Sequence, residues 1–217
     1  MLQVDYLKQY LQEFVEELDI EDAEILLFGG AAIAFKFGGR DTTKDIDAAF
    51  GDISEAVLVS PINKVAAKHG IDSDWLNNQG ERFITPAMLD SREPLFKIGK
   101  VSFSTPSAEA MLAMKICAMR LSPDFKDLDD IKLLVSATGI ADLQDVSAIL
   151  SHYCPERAGE TLSNPAKMIV LEKVLEEVSR WTENIDEVSK RFNSWIKPGT
   201  PPLINTREVY NQRKPRI

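Results

Sequence analysis

The sequence predicts a mixed α+β fold in which a small sheet is flanked by helices and followed by a helical C-terminal half. Short apolar runs bounded by turn residues predict strands in the first half of the chain. Apolar residues spaced three and four apart predict a helix before those strands and only helices from Asp142 onward. The predicted strands include residues 25–28, 95–98 and 101–104, and the predicted helices include 2–18, 143–153, 165–181 and 185–196.

The stretch from residue 25 to residue 50 joins two predicted strands through a glycine pair. The apolar run at 25–28 leads directly into Gly29 and Gly30, and a small apolar segment follows that is long enough for one or two helical turns. A polar turn then leads to Asp45-Ile46-Asp47 and a second apolar run. We therefore expect a buried strand, a tight junction, a short helix and a strand that carries an Asp-x-Asp sequence.

Turn residues predict the ends of the next helix and the position of a hairpin. Ser60-Pro61 predicts a helix that starts at residue 62, and Gly70 is expected to end it. Gly99-Lys100 lies between two strand-like runs and therefore predicts a hairpin.

The second half begins with a helix whose start is predicted at residues 104–107, where Ser and Thr precede an apolar pattern. Ser122-Pro123 is expected to break the helical pattern, and the next helix opens at Lys126. The expected units are a core at residues 1–106, a helical region packing on it at 107–197 and a basic tail at 198–217.

Composition and charge limit the binding partners and the cellular location that we expect for the protein. A formal net charge of -9 argues against broad binding to duplex DNA. No apolar run approaches the ~20 residues that span a bilayer, and the acidic N-terminus is not typical of a targeting peptide. We therefore expect a cytoplasmic protein without a membrane partner, in which Cys117 and Cys154 are reduced thiols. With 2 histidines in the chain, any metal is expected to be hard and oxygen-ligated.

The end of the chain is basic although the chain as a whole is acidic. Such a tail could contact RNA or an acidic partner protein, and a solvated terminus is the plainer alternative. Its charged residues are Lys190, Arg191, Lys197, Arg207, Arg213, Lys214 and Arg216, against Glu187 and Glu208.

The Asp-x-Asp sequence predicts a metal site. In an extended chain Asp45 and Asp47 share one face, whereas Ile46 points to the core. Two neighbouring carboxylates repel each other unless a cation lies between them. Gly29 and Gly30 would let a phosphate chain approach the backbone closely. The pattern therefore indicates a divalent cation beside a phosphate-binding turn.

Lys115 is the one charge in an otherwise apolar helical pattern. It either points inward to a partner or extends to solvent, and the sequence leaves both open. Asp127 and Asp130 lie at the start of the following helix. There they could complement the helix dipole, or they could be further metal or catalytic carboxylates.

Taken together, these motifs resemble the nucleotidyltransferase superfamily with a polymerase-beta-type core. Its signature is an apolar strand, Gly-Gly or Gly-Ser, a spacer and an Asp-x-Asp or Asp-x-Glu strand. A closer resemblance, over most of residues 25–135, is to bacterial nucleotidyltransferase-like proteins related to abortive-infection and toxin–antitoxin toxins. The matching stretches are 27–30 (LFGG), 40–47 (RDTTKDID), 65–77 (VAAKHGIDSDWLN), 112–120 (LAMKICAMR) and 126–131 (KDLDDI).

The resemblance implies a small mixed sheet and transfer of an NMP from an NTP to an acceptor, either an RNA such as tRNA or a protein hydroxyl. It implies Mg²⁺ or Mn²⁺ held by Asp45 and Asp47. It further implies a toxin of a toxin–antitoxin or phage-defence system, with a cognate antitoxin as partner. The implied catalytic residues are Asp45, Asp47, Lys115, Asp127 and Asp130, and the implied nucleotide-binding residues are Gly29, Gly30, Arg40, Thr43 and Lys44.

One part of the family pattern is missing. In the wider superfold a third carboxylate comes from a neighbouring strand, but the runs at 95–98 and 101–104 contain no Asp or Glu. Either Asp127 or Asp130 takes that place, or metal binding is impaired. The alternatives are therefore an active enzyme, a catalytically weak or inactive nucleotide- or protein-binding module with the same fold, and a structural role in which the aspartates cap turns.

Overall fold

The structure is a computed structural model that describes residues 1–18, 20, 22–38, 41–120 and 126–195, with the backbone alone described at 126 and 182–195. It confirms the mixed α+β class, with a five-stranded mixed sheet, a second sheet of two short strands and a helical C-terminal half. The strands are β1 (Leu2–Gln3), β2 (Ala23–Phe28), β3 (Thr42–Thr43), β4 (Ile46–Ala49), β5 (Leu76–Asn77), β6 (Glu93–Ile98) and β7 (Val101–Thr105). The helices are α1 (Val4–Glu17), α2 (Gly29–Phe37), α3 (Glu55–His69), α4 (Pro86–Asp90), α5 (Ala108–Ala118), α6 (Lys126–Thr138), α7 (Leu143–Tyr153), α8 (Pro155–Leu162) and α9 (Pro165–Trp195), with a 3₁₀ turn at Glu81–Phe83.

Strand β2 is the centre of the larger sheet, whose order is β5-β4-β2-β7-β6. It runs antiparallel to β4 and parallel to β7. Ile25 and Leu27 belong to the main apolar core, whereas Leu26 and Phe28 pack with Ala49 in a second, smaller cluster. Because its alternate side chains are buried in two different clusters, the strand is continuously apolar from Ile25 to Phe28 rather than alternating.

Helix α1 forms close to its predicted place and packs into the main core. Leu7, Leu11 and Phe14 are fully buried, and the Phe14 ring lies 6.5 Å from the ring of Phe50, between centroids. The predicted start at residue 2 is too early, because the first residues pair with β3 as the antiparallel strand β1. The first residues of the chain therefore pair with the segment that precedes the Asp-x-Asp strand.

The predicted helix start at residue 62 is wrong. Helix α3 begins at Glu55, so that Pro61 lies inside it. An interior proline costs about 3 kcal/mol through the lost hydrogen bond and the steric clash. Burial of Leu58 in the additional turns and of Pro61 itself offsets much of that cost. Gly70 ends the helix as predicted, in the left-handed conformation.

The helical half differs from the prediction in two places. Helix α8 has no counterpart among the predicted helices, although Pro155 at its first position is a helix-start signal. The predicted helices 165–181 and 185–196 form a single helix, α9, because residues 182–184 contain no glycine or proline that would break it. In the described part of the chain, no single helix is long and apolar enough to cross a membrane.

Helix α5 joins the sheet to the helical half. It begins where predicted, with the Ser107 hydroxyl oxygen accepting a hydrogen bond from the Ala110 backbone N–H at 3.2 Å. One cluster of buried apolar side chains continues from the sheet through α5 into α6, α7 and α9. The tail predicted at 198–217 lies outside the described residues.

Candidate active site

The junction between β2 and α2 places a carboxylate against the backbone of a glycine. Pairing of β2 with β4 puts Phe28 opposite Asp47. The residue after Phe28 is Gly29, whose φ of 69° lies in the left-handed region. A Cβ atom at Gly29 would lie 2.5 Å from Oδ2 of Asp47. The glycine is therefore what lets this carboxylate approach the start of α2.

The carboxyl group of Asp47 resists ionisation in the folded protein. Burial and the negative charge of Asp45 raise its pKa from the usual 3.8 to about 6. The positive charges of Lys115 and Lys44 act in the opposite direction without cancelling this effect. Asp45 immediately precedes β4, and its Oδ2 lies 3.7 Å from Nζ of the exposed Lys44. The Asp-x-Asp pair therefore consists of one half-buried and one partly exposed carboxyl group.

Lys115 points inward rather than to solvent. Its side chain is 15% exposed, and its Nζ lies 3.1 Å from Oδ1 of Asp127 and 2.9 Å from Oδ2 of Asp130. Asp130 is almost fully buried, so the ammonium group compensates a carboxylate that has little access to water. In the structure the two aspartates are therefore charge partners of Lys115, a role in addition to the dipole, metal and catalytic roles that the sequence leaves open.

A cavity of about 800 Å³ brings the two halves of the predicted site together. Asp47 reaches it from β4, Gly29 from the start of α2, Lys115 from α5 and Asp127 from α6. A volume of this size is typical of small-molecule and cofactor sites. The cavity therefore has room for a nucleotide, with carboxylate and ammonium groups in the same wall.

Several described residues of the predicted site do not line the cavity. Those that the structure describes away from the cavity wall are Gly30, Thr43, Lys44, Asp45 and Asp130. The buried Thr43 hydroxyl donates a hydrogen bond to the Asp45 backbone oxygen at 3.1 Å, so it shapes the turn before β4. Arg40 lies outside the described residues.

The outer neighbour of the Asp-x-Asp strand is not one of the strands from which the sequence suggests a third carboxylate. It is β5, which runs parallel to β4 and places Asn77 opposite Asp47. The Asn77 side chain serves a turn: its Nδ2 donates to the Asp74 backbone oxygen at 3.2 Å, and its Oδ1 accepts from the Gln79 backbone N–H at 3.0 Å. An amide, rather than a carboxylate, therefore adjoins Asp47 in the sheet.

The predicted hairpin forms, with Ile98 opposite Val101, but it lies on the other side of β2. Strand β6 also begins at Glu93, earlier than predicted, so it contains one acidic residue outside the run at 95–98. The Glu93 carboxylate lies 2.8 Å from Nζ of Lys36. It is therefore engaged with α2.

Three arginines line the cavity, and of these Arg82 and Arg157 belong to no sequence motif, whereas Arg120 ends the stretch 112–120. Arg82 lies in the 3₁₀ turn, Arg120 follows α5 and Arg157 belongs to α8. The segments that carry Arg82 and Arg157 have no regular element among those predicted, so the sequence gives no reason to place these residues together. The proline that starts α8 is the one signal that could have located Arg157.

The oxygen donors at the Asp-x-Asp strand fit a hard divalent cation. The raised pKa of Asp47 arises from burial next to another carboxylate, a situation that a bound cation would relieve. Asp45 and Asp47 would supply the oxygen ligands that Mg²⁺ prefers. Among the described residues, no group of three or more His, Cys, Asp or Glu side chains is placed to share one ion.

Comparison with known proteins adds no family assignment. The sequence matches no protein-family model and has no significant match to a curated protein. The resemblance to nucleotidyltransferases therefore rests on the motifs in residues 25–135 and stays a prediction.

Proposed function

We propose that the protein is a divalent-metal-dependent nucleotidyltransferase that moves an NMP from an NTP to a hydroxyl group of an acceptor and releases pyrophosphate. The observation that carries this proposal is the convergence of Gly29, Asp47, Lys115 and Asp127 on one cavity. These residues come from distant parts of the chain, and each has chemistry that the transfer of a phosphoryl group requires.

The residues have separate tasks in this proposal. Asp45 and Asp47 would hold Mg²⁺ or Mn²⁺, which when bound supplies positive charge to the reacting phosphate and the attacking oxygen. Gly29 has no side chain, so the Asp47 carboxylate lies against the start of α2, where the phosphate chain would meet the backbone. Lys115 is fixed by two carboxylates of α6 and stabilises phosphate charge from the cavity wall.

The proposed acceptor is an RNA such as tRNA, or a protein hydroxyl, as the motif resemblance implies. The same resemblance supports a cytoplasmic toxin of a toxin–antitoxin or phage-defence system that a cognate antitoxin controls. The presence of a neighbouring gene that encodes a small DNA-binding antitoxin would support this assignment.

The activity is tested with each of the NTPs labelled at the α-phosphate, Mg²⁺, and either bulk tRNA or the protein itself as acceptor. Label should move to one acceptor with wild-type protein and should not move with Asp45→Ala. As a matched control, Asp90→Asn removes one exposed carboxylate from α4 and should transfer label normally. Absence of transfer with every NTP and both acceptors would contradict the proposal.

A second candidate function is a nucleotide- or protein-binding module with little or no turnover. Asn77 favours it, because the strand beside Asp47 supplies an amide where the wider superfold has a carboxylate. Calorimetric titration with an NTP separates this candidate from a purely structural role. A module should show Mg²⁺-dependent affinity without transfer, whereas aspartates that only cap turns should give no Mg²⁺-dependent affinity.

A further inference from the structure

Two guanidinium groups pack on one aromatic ring in the cavity wall. The Cζ atom of Arg82 lies 4.8 Å from the centre of the Phe83 ring, and the Cζ atom of Arg157 lies 5.1 Å from it. All three residues line the cavity that also contains Asp47 and Lys115. The cluster joins the 3₁₀ turn to α8, so the fold brings these charges together.

The positive charge of this cluster has no matching carboxylate in the described part of the chain. No described Asp or Glu forms an ion pair with Arg82, Arg120 or Arg157. Arg157 is held by a neutral acceptor, since its Nη2 donates to the Cys117 backbone oxygen at 2.8 Å. Nζ of Lys167 donates to the same oxygen at 3.0 Å, which adds a further cation.

The chemistry of the cluster suits a phosphate oxyanion. A guanidinium that stacks on a ring uses its face, so N–H donors at its edge can bind a ligand. Those donors match pairs of phosphate oxygens. The residues that line the cavity include four cations, Arg82, Lys115, Arg120 and Arg157, against three carboxyl groups, Asp47, Asp127 and Glu156. Positive charge therefore exceeds negative charge among the lining residues.

We propose that Arg82, Phe83 and Arg157 form a phosphate-binding subsite in the same cavity as the Asp-x-Asp strand. The inference rests on the proposed function, because the phosphate belongs either to the NTP or to a nucleic-acid acceptor. The ring of Phe83 fixes the two guanidinium groups, and Arg120 adds positive charge to the same cavity wall. The ligand class is a polyphosphate or a phosphodiester chain.

Binding of inorganic tripolyphosphate in metal-free buffer tests the subsite by itself, because the Asp45–Asp47 pair would bind phosphate only through a metal ion. Arg82→Ala should weaken calorimetric binding about tenfold, the usual order for one lost charge-assisted hydrogen bond. Phe83→Leu should also weaken it, because both guanidinium groups lose their platform. Arg180→Ala removes an equal charge from an exposed position outside the cavity and should leave the affinity unchanged. Equal affinities for Arg82→Ala and Arg180→Ala would overturn the proposal.

Competition identifies the source of the phosphate. Displacement of tripolyphosphate by ATP assigns the subsite to the nucleotide, and displacement by a short oligoadenylate without terminal phosphates assigns it to a nucleic-acid acceptor. Displacement by neither would overturn both assignments.

The subsite and the proposed transferase activity can fail separately. Asp47→Asn should abolish label transfer but retain metal-free binding of tripolyphosphate. Retained binding by a protein that never transfers label would therefore reject the activity and keep the subsite. Loss of binding in Asp47→Asn would reject the subsite as an independent feature.

Discussion

A Cβ atom on Gly29 would lie 2.5 Å from Oδ2 of Asp47, closer than packed atoms tolerate. The φ of 69° at Gly29 independently disfavours any other residue. Two constraints therefore act at one position: the backbone needs a left-handed residue, and the carboxylate needs the space that a side chain would fill. The start of α2 and the Asp-x-Asp strand are a single structural unit in this sense.

Gly29→Ala should impair the site as well as the fold, and Gly70→Ala separates the two effects. Gly70 has a similar φ of 63° but no atom within 4 Å of an added Cβ. Both variants should lose about 1–2 kcal/mol of unfolding free energy from backbone strain, measured by chemical denaturation. Only Gly29→Ala should also lose Mg²⁺-dependent nucleotide affinity. Normal affinity in Gly29→Ala would show that the position of Asp47 is not critical.

Asp47 should make the protein less stable as the pH rises from about 4 to about 6. The pKa of Asp47 is 3.8 ordinarily and about 6 in the folded protein, so the folded state holds more of this proton in that interval. Asp47→Asn removes this effect and should raise the unfolding free energy at neutral pH by up to about 3 kcal/mol. The difference should shrink toward pH 4. Urea titrations across this pH range would measure it, with Asp90→Asn as control.

Divalent metal should change that pH dependence. Mg²⁺ bound to the folded pair should raise the melting temperature at neutral pH, because it binds the native state in preference to the unfolded chain. The increase should fade as the pH falls below about 6, where a proton occupies Asp47. Thermal melts with and without Mg²⁺ would measure both effects, and Asp47→Asn should show neither. An equal increase in wild type and Asp47→Asn would place the metal elsewhere.

Lys115 should be far more important for stability than a surface lysine. Lys115→Ala removes the cation next to the buried Asp130 carboxylate and should cost about 3–5 kcal/mol. Lys132→Ala breaks the more exposed pair with Glu177, whose atoms lie 2.8 Å apart, and should cost about 1 kcal/mol or less. Chemical denaturation compares the two. Similar losses would mean that the Lys115 pairs are effectively solvated.

The elements that carry the motifs follow from local sequence. The apolar run at β2 and the glycine at its end define the junction, and the spacing of Asp45 and Asp47 follows from strand geometry. Likewise, Gly70 and Ser107 mark a helix end and a helix start that the structure contains. These features depend on neighbours within a few positions, so a single sequence reveals them.

The remainder of the site depends on tertiary pairing. Strand β5 is short, and its place beside β4 is decided by packing rather than by its own sequence. For that reason the sequence alone indicates the hairpin strands as the source of a third carboxylate and does not identify Asn77 as the neighbour of Asp47. The cluster around Phe83 also depends on tertiary packing, because Arg82 and Arg157 meet only when α8 packs next to the 3₁₀ turn.

The most direct test of the central claim is the rate of Mg²⁺-dependent transfer of labelled NMP by wild type and Asp47→Asn. The cavity geometry predicts transfer by wild type and a loss of about a hundredfold or more in Asp47→Asn, a variant that should be folded and at least as stable. Transfer at equal rates by the two proteins would contradict the claim that this carboxylate and its cavity are the site of nucleotidyl transfer.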